Sequence, residues 1–179
     1  MKIYKEKNFW LAAFFIFLLD QVTKLWALIG LPLDEEIVMN KYISLTRVYN
    51  EATVMMIHEL PFGITIAQFI FLWISICIFI TIGIWWVIKQ PALNGGGWTE
   101  EFAKTGLLLI LGAAWGNAFD RIFRKGVVDF LQINYFENIV PIINLADIMV
   151  YLGEFSLICA WFLIFINFIN KKETNAITN

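Results

Sequence analysis

Four long apolar runs constrain the fold of this chain more than any other feature. They lie near residues 8–30, 62–88, 102–120 and 144–169, and each approaches the ~20 residues that a helix needs to cross a bilayer. Mean hydropathy is +0.71 and only 16% of the 179 residues are charged, whereas about a quarter are charged in a soluble domain. The sequence therefore predicts an all-α polytopic membrane protein with four transmembrane helices.

Two segments outside these runs have β-strand character. Residues 41–49 partly alternate and are rich in β-branched and aromatic side chains, and Val127–Leu131 follows a basic, glycine-containing turn. They predict a small β-rich layer on the outer face, over about 37–58 and 126–133. Residues 1–170 would then form a single membrane domain, and 171–179 a cytoplasmic tail.

Basic residues indicate the orientation of the spans. Seven lie on the side of the two termini and five on the opposite side, and the richer side is expected to be cytoplasmic. An N-terminal signal peptide is disfavoured because Asp20, Gln21 and Lys24 interrupt the first run and no small-residue cleavage site follows. Seven basic residues on the cytoplasmic side carry this prediction: Lys2, Lys5, Lys7, Lys89, Lys104, Lys171 and Lys172.

Polar residues of three spans collect at one depth. With a rise of ~1.5 Å per residue, Asp20 and Lys24 lie roughly 18 and 24 Å from the inner end of the first span. Asn117 comes about 22 Å along the third span, and Asp147 lies in the first outer turn of the fourth. A site facing the outer leaflet explains this clustering, with the inner part of the bundle remaining apolar.

Each of these residues also has a purely structural interpretation. Asp20 and Lys24 have the i, i+4 spacing of a helical ion pair. Asn144 could cap the fourth helix, with Asp147 three residues on. Asp129, taken alone, could be a solvated loop acid, and residues 116–121 could simply lock the third helix to its neighbours.

Two aspartates eighteen positions apart suggest acid–base chemistry. If Asp129 and Asp147 approach within about 4 Å, their charges repel by ~4 kcal/mol at an effective dielectric near 20. That separates their protonation by about three pK units, so one ionises while the other holds a proton. The ionised carboxylate could activate water and the protonated one could donate to a carbonyl oxygen. The single histidine, His58, lies elsewhere, so neither a histidine-based triad nor a metal site is expected, and no cofactor is implied.

At these positions the chain resembles the lipoprotein signal peptidases (signal peptidase II), aspartic peptidases of the bacterial inner membrane. The resemblance runs over most of the chain and combines five motifs, each weak by itself. In order they are Asp20-Gln21-x-x-Lys24, Asn50 after the first strand, Gly116-Asn117-x-x-Asp120-Arg121, Gly126-Val127-Val128-Asp129-Phe130 and Asn144-x-Ala146-Asp147.

The resemblance implies a function and a role for each matched residue. The family removes the signal peptide of prolipoproteins just before a diacylglyceryl-modified cysteine. The resemblance implies that Asp129 and Asp147 are catalytic and that the site faces the periplasm. The protein is expected to be monomeric. Lipid-modified prolipoproteins and membrane lipid are the expected partners, and no nucleic acid is expected. Six residues would bind substrate or support the dyad (Asp20, Lys24, Asn50, Asn117, Arg121 and Asn144), and Gly116, Asp120 and Ala146 would give structural support.

The chain departs from the family pattern in three places. Asn50 is followed by Glu51-Ala52-Thr53-Val54-Met55, where the family usually has x-Gly-Ala-Ala-Phe. Ile148 replaces a hydroxyl residue after Asp147, and Ala113 replaces a glycine. These changes predict a shifted substrate range or inhibitor response in a working peptidase.

Two alternatives stay open. A non-catalytic or specialised paralogue that binds lipidated peptides would fit the altered residues after Asn50. A proton-coupled transporter would also use intramembrane carboxylates, but it predicts polar residues through both leaflets and often repeated halves.

Overall fold

The computed structural model describes residues 6–50, 66–89, 97–124, 126–135, 138–139 and 142–178. Four helices account for most of them, one over each apolar run. They are α1 (Glu6–Gly30), α2 (Ile66–Val87), α3 (Trp98–Phe123) and α4 (Leu145–Thr178). Helix α4 continues through most of the segment predicted to be a cytoplasmic tail.

Three helices among the described residues are long and apolar enough to cross a membrane. The spans are Lys7–Gly30, Trp98–Phe123 and Leu145–Asn170. The corresponding apolar stretch of α2, Ile74–Trp85, is shorter than the ~20 residues of a bilayer crossing. A mostly helical membrane architecture is confirmed, and the count of four spans stays a prediction.

The predicted β-layer is present as a small antiparallel sheet. Its strands are β1 (Ile37–Val38), β2 (Ile43–Asn50), β3 (Val127–Tyr135) and β4 (Asn138–Ile139), paired in that order. A register shift between Leu45 and Val48 sets Val48 opposite Asp129, and Asn50 opposite Val127. Residues 51–58 of the predicted layer, with His58, lie outside the described residues.

The sheet packs on the end of α1. Phe130 of β3 forms a buried apolar cluster with Ala27 and Leu31. The Arg47 guanidinium on β2 donates to the Leu28 carbonyl at 2.6 Å, which satisfies one of the carbonyls left without a partner at the end of a helix. This fixes the sheet at one end of the bundle, which we call the sheet end.

Helix α3 is the centre of the bundle and packs against the other three helices. Away from the sheet end, Gly106 of α3 lies so close to Gly153 of α4 that a methyl group at position 106 would stand 2.7 Å from the Gly153 carbonyl oxygen. Lys104, counted above among the cytoplasmic flanking charges, instead lies buried within α3 and pairs with Glu100 at 2.6 Å.

Candidate active site

Helix α4 begins at the sheet end with a reciprocal cap. The Asn144 Oδ1 atom accepts the backbone N–H of Asp147 at 3.1 Å, and Asp147 Oδ2 accepts the backbone N–H of Asn144 at 3.1 Å. This is the capping-box arrangement, with an aspartate in the place of the usual glutamate. The capping interpretation of Asn144 is therefore confirmed. The cap also holds the Asp147 carboxylate at the N-terminus of α4, which is the positive end of the helix dipole.

Asp129 is buried in β3, with 2% of its surface exposed. Its Oδ2 atom accepts a hydrogen bond from Asn50 Nδ2 at 3.0 Å, and its Oδ1 atom accepts one from Asn144 Nδ2 at 2.6 Å. The solvated-loop interpretation of Asp129 is therefore wrong. Asn144 therefore contacts both aspartates. Its side chain bonds the Asp129 carboxylate and the Asp147 backbone N–H, and its backbone N–H bonds the Asp147 carboxylate.

The environment of Asp129 shifts its protonation equilibrium toward the protonated form. Burial raises the pKa of Asp129 to about 6, because water no longer stabilises the ionised carboxylate. The amide donors of Asn50 and Asn144 oppose this rise in pKa, and the charge of nearby Asp147 adds to it. A carboxyl group with such a pKa can act as a general acid near neutral pH.

Asn117 of α3 connects Asp147 to the interior of the bundle. Its Nδ2 atom donates to Asp147 Oδ1 at 3.1 Å, while its Oδ1 atom accepts from Lys24 Nζ at 2.7 Å and Asn144 Nδ2 at 3.2 Å. Since two donors converge on the amide oxygen, the NH₂ group must face Asp147. Lys24 therefore fixes the orientation of the amide that contacts the carboxylate.

Lys24 is fully buried and connects α1 to α3. Its ammonium group lies 2.8 Å from Asp20 Oδ2 and 3.1 Å from Asp120 Oδ2, in addition to its bond to Asn117. An ammonium group has three donors, and here three acceptors meet them. The predicted i, i+4 ion pair is confirmed, and it belongs to the same network as the two aspartates.

The two carboxylates beside Lys24 also hold backbone groups near the site. Asp20 Oδ1 accepts the N–H of Ala146 in the first turn of α4 at 3.0 Å, and Asp120 Oδ2 accepts the N–H of Val128 in β3 at 3.0 Å. A methyl group at Gly116 would collide with the Asp20 carboxylate, so glycine is required for this close approach. The buried charged and amide groups around Lys24, which we call the polar layer, thus position the segments that carry Asp129 and Asp147.

Arg121 completes the set of residues predicted from sequence. Its guanidinium donates to the Asn117 carbonyl at 3.2 Å and lies within electrostatic range of Asp129 and Asp147. The structure thus brings all eleven predicted residues to the sheet end: Asp20, Lys24, Asn50, Gly116, Asn117, Asp120, Arg121, Asp129, Asn144, Ala146 and Asp147. Among the described residues, no cluster of three or more His, Cys, Asp or Glu side chains could hold a metal ion.

Sequence reasoning did not assign a role to two further members of this network. Gln21 Nε2 donates to Asp20 Oδ2 and to the Gly116 carbonyl, both at 3.1 Å. The Arg124 guanidinium donates to Gln21 Oε1 at 2.9 Å and also pairs with Asp120. The i, i+4 spacing of Asp120 and Arg124 is the signal that could have identified this pair.

Glu154 is a third residue that the sequence argument missed. It lies seven positions after Asp147 in the apolar part of α4, and it is exposed. The expectation that polar residues would be confined to the outer part of the spans is therefore wrong for α4. The signal was the i, i+7 spacing, which returns to the same face of a helix after nearly two turns.

Comparison with known proteins identifies the family. A family model described as signal peptidase (SPase) II matches residues 12–164. The chain belongs to the signal peptidase II family. It is therefore a transmembrane protease of the aspartic type that processes signal peptides.

Individual relatives agree with this assignment. A lipoprotein signal peptidase of Cellvibrio japonicus is 31% identical over 176 residues, covering 98% of each chain. One from Clostridium novyi is 35% identical over 144 residues, covering 78% of this chain and 87% of its own. A bacterial membrane enzyme solved by the in meso method at 1.9 Å superposes with a TM-score of 0.70 at 25% identity, covering 88% of this chain and 94% of its own.

Proposed function

We propose that this signal peptidase II removes the signal peptide from diacylglyceryl-modified prolipoproteins, cleaving before the lipidated cysteine with Asp129 and Asp147 as the catalytic pair. The observation that carries the proposal is the contact of one residue, Asn144, with both carboxylates: its side-chain amide donates to Asp129 and its backbone N–H donates to Asp147. The names of the relatives support the substrate class, since those proteins are called lipoprotein signal peptidases.

The two aspartates have environments suited to different roles. Asp147 lies at a helix N-terminus and accepts hydrogen bonds from a backbone N–H and from the Asn117 amide, all of which stabilise an anion. Asp129 lies in the sheet, where burial raises its pKa to about 6. We therefore assign Asp147 as the general base and Asp129 as the general acid.

Hydrolysis then proceeds in two steps, the addition of water and the collapse of the intermediate, and both aspartates transfer a proton in each step. Asp147 takes a proton from water as the water oxygen attacks the scissile carbonyl, and Asp129 donates a proton to the carbonyl oxygen. Collapse of the tetrahedral intermediate breaks the C–N bond as Asp147 gives its proton to the leaving amine and Asp129 takes a proton back from a hydroxyl of the gem-diol, so both carboxyl groups return to their starting states. The Arg121 guanidinium, within electrostatic range of both aspartates, limits the cost of placing two acids together.

The same proposal fixes the arrangement in the membrane. Helix α2 serves as the fourth span, both termini lie in the cytoplasm, and the sheet end faces the periplasm across the bacterial inner membrane. Basic residues near the termini support this orientation. A monomer suffices, because every residue assigned above lies in one chain.

Single substitutions of the catalytic pair test the proposal. Asp129→Asn and Asp147→Asn should each lower kcat by about 10²- to 10⁴-fold, the usual contribution of a positioned acid or base. Release of the signal peptide from a diacylglyceryl-modified prolipoprotein would be measured with purified enzyme in lipid, and the unmodified precursor is the control. Full activity in either variant would exclude the dyad. Tight binding of lipopeptide by the parent protein without turnover would select the non-catalytic alternative.

A further inference from the structure

The position of Glu154 points to a function beyond the dyad. An ionisable side chain within a membrane span is costly unless it has a partner. Glu154 lies nine residues into the apolar span Leu145–Asn170, and within the described part of the chain its side chain makes no hydrogen bond or ion pair. No group in the described part of the chain therefore offsets the cost of this carboxylate.

Glu154 shares a helix face with Asp147. Seven residues at ~100° each fall about 20° short of two full turns, and they displace Glu154 by about 10.5 Å along α4 from Asp147. The side of α4 that packs on α3 is a different one, marked by buried Gly153, Ser156 and Ala160. Tyr151 and Ile158, on the same face as Glu154, are 62% and 63% exposed. This face, which we call the Asp147 face, therefore leads from the site into the membrane without being covered by α3.

We propose that Glu154 determines substrate specificity by accepting a hydrogen bond from a hydroxyl or amide side chain in the signal peptide, on the membrane side of the cleaved bond. This rests on the proposed function. The apolar segment of a signal peptide precedes the bond to be cut, so a substrate held at the dyad continues into the bilayer along the Asp147 face. Hydroxyl and amide groups both donate and accept hydrogen bonds, so they match a carboxyl group in either protonation state.

The distance of about 10.5 Å between Asp147 and Glu154 along α4 defines which substrate residue Glu154 would contact. A segment in extended conformation covers 10.5 Å in about three residues at ~3.3 Å each. A helical segment covers the same distance in about seven residues. The preferred polar residue should therefore lie about three or about seven positions before the cleaved bond.

A scan of substrates tests this contact. Diacylglyceryl-modified prolipoproteins with one Leu→Thr change, placed in turn at positions two to eight before the cleaved bond, would compete for the parent enzyme. One of them should be cleaved about three- to tenfold faster than its all-leucine parent, the range for a polar contact within a membrane. Glu154→Gln should keep this preference. Glu154→Leu should lose it while cleaving the all-leucine substrate at the parent rate.

Two further variants make the result specific. Phe155→Leu, an exposed residue on a different face of α4, should leave the ranking of substrates unchanged. Glu154→Leu combined with Ile158→Glu moves the carboxylate about 6 Å farther from Asp147. The preferred position should then move by about two residues in an extended substrate or four in a helical one.

Each outcome bears on one proposal or the other. If the parent enzyme cleaves lipid-modified substrates but Glu154→Leu ranks them as the parent does, the specificity role is wrong and the dyad stands. If the parent cleaves no such substrate, the proposed function fails, and the specificity role with it. A photo-crosslinker at position 154 should capture the prolipoprotein, and capture of a second copy of this chain instead would overturn the inference.

Discussion

The two ends of this helical bundle are held together by different interactions. At the sheet end, α1, α3 and α4 meet through charged and amide side chains centred on buried Lys24. Farther from the sheet they meet through small residues, with Gly106 against Gly153 and Gly112 against Ala13. The polar contacts require each donor to point at an acceptor and the numbers of donors and acceptors to match. The close packing requires only that the facing residues have little or no side chain.

On the proposed function, this difference separates the catalytic end of the bundle from its scaffold. Close packing holds the helices at a fixed distance and needs no particular chemistry. The polar layer sets the orientation of amides, and through Asn117 and Asn144 it sets the environment of two carboxylates. Changes in the polar layer should therefore alter both stability and catalysis, whereas changes among the glycines should alter stability alone.

The largest effect is expected for Lys24→Met. It leaves Asp20 and Asp120 buried without their shared cation, and breaking a buried ion pair from one side costs about 3–5 kcal/mol. Asn117 also loses the donor that orients its amide, so activity should fall together with the thermal midpoint in detergent. The double variant Lys24→Met/Asp20→Asn should recover part of the stability, and a single variant as stable as the parent would contradict the assignment of Lys24 as the centre of the layer.

A smaller effect confined to stability is expected for Gly106→Ala. The new methyl group would stand 2.7 Å from the Gly153 carbonyl oxygen and 2.8 Å from Leu157 Cγ, and backbone must move to admit it. Overpacking of this kind costs about 1–3 kcal/mol. The thermal midpoint should fall while the pH profile of the folded enzyme is unchanged.

Gly83→Ala is the matched control, because a methyl group there would have no neighbour within 4 Å. It should be neutral or stabilise α2 by up to about 1 kcal/mol. If the thermal midpoint fell equally in Gly106→Ala and Gly83→Ala, close packing at Gly106 would not be the cause of the destabilisation.

The smallest effect is a shift in pH dependence for Asn50→Ala. The Asn50 amide donates to Asp129 and favours its ionised form, so its removal raises the pKa of Asp129 above about 6. The acid then stays protonated to higher pH, and the alkaline limb of kcat/KM should move upward by at most about one unit. Tyr49→Phe, at the neighbouring strand position, should leave the limb in place. If the acidic limb moved upward in Asn50→Ala while the alkaline limb stayed in place, the roles assigned to the two aspartates would be reversed.

Local rules already identified many features of this protein in the sequence. Hydropathy located the helices, because a bilayer requires long apolar runs whatever their neighbours are. The i, i+4 spacing of Asp20 and Lys24 and the cap at Asn144 are set within a single turn of helix, so short-range geometry was enough to predict them. Asp129 and Asp147 were predicted to be a catalytic pair from chemistry and family resemblance, and that role stays a prediction.

The contacts between distant segments required the tertiary structure. Lys24 reaches Asn117 across 93 positions, and Asn50 reaches Asp129 across 79, so each bond depends on how two elements are rotated and displaced relative to each other. The sequence contained Glu154 and its seven-residue spacing from Asp147, but only helix packing decided that α3 would leave this face uncovered. Side-chain periodicity determines which residues share a face, whereas the contacts between helices determine which face is buried.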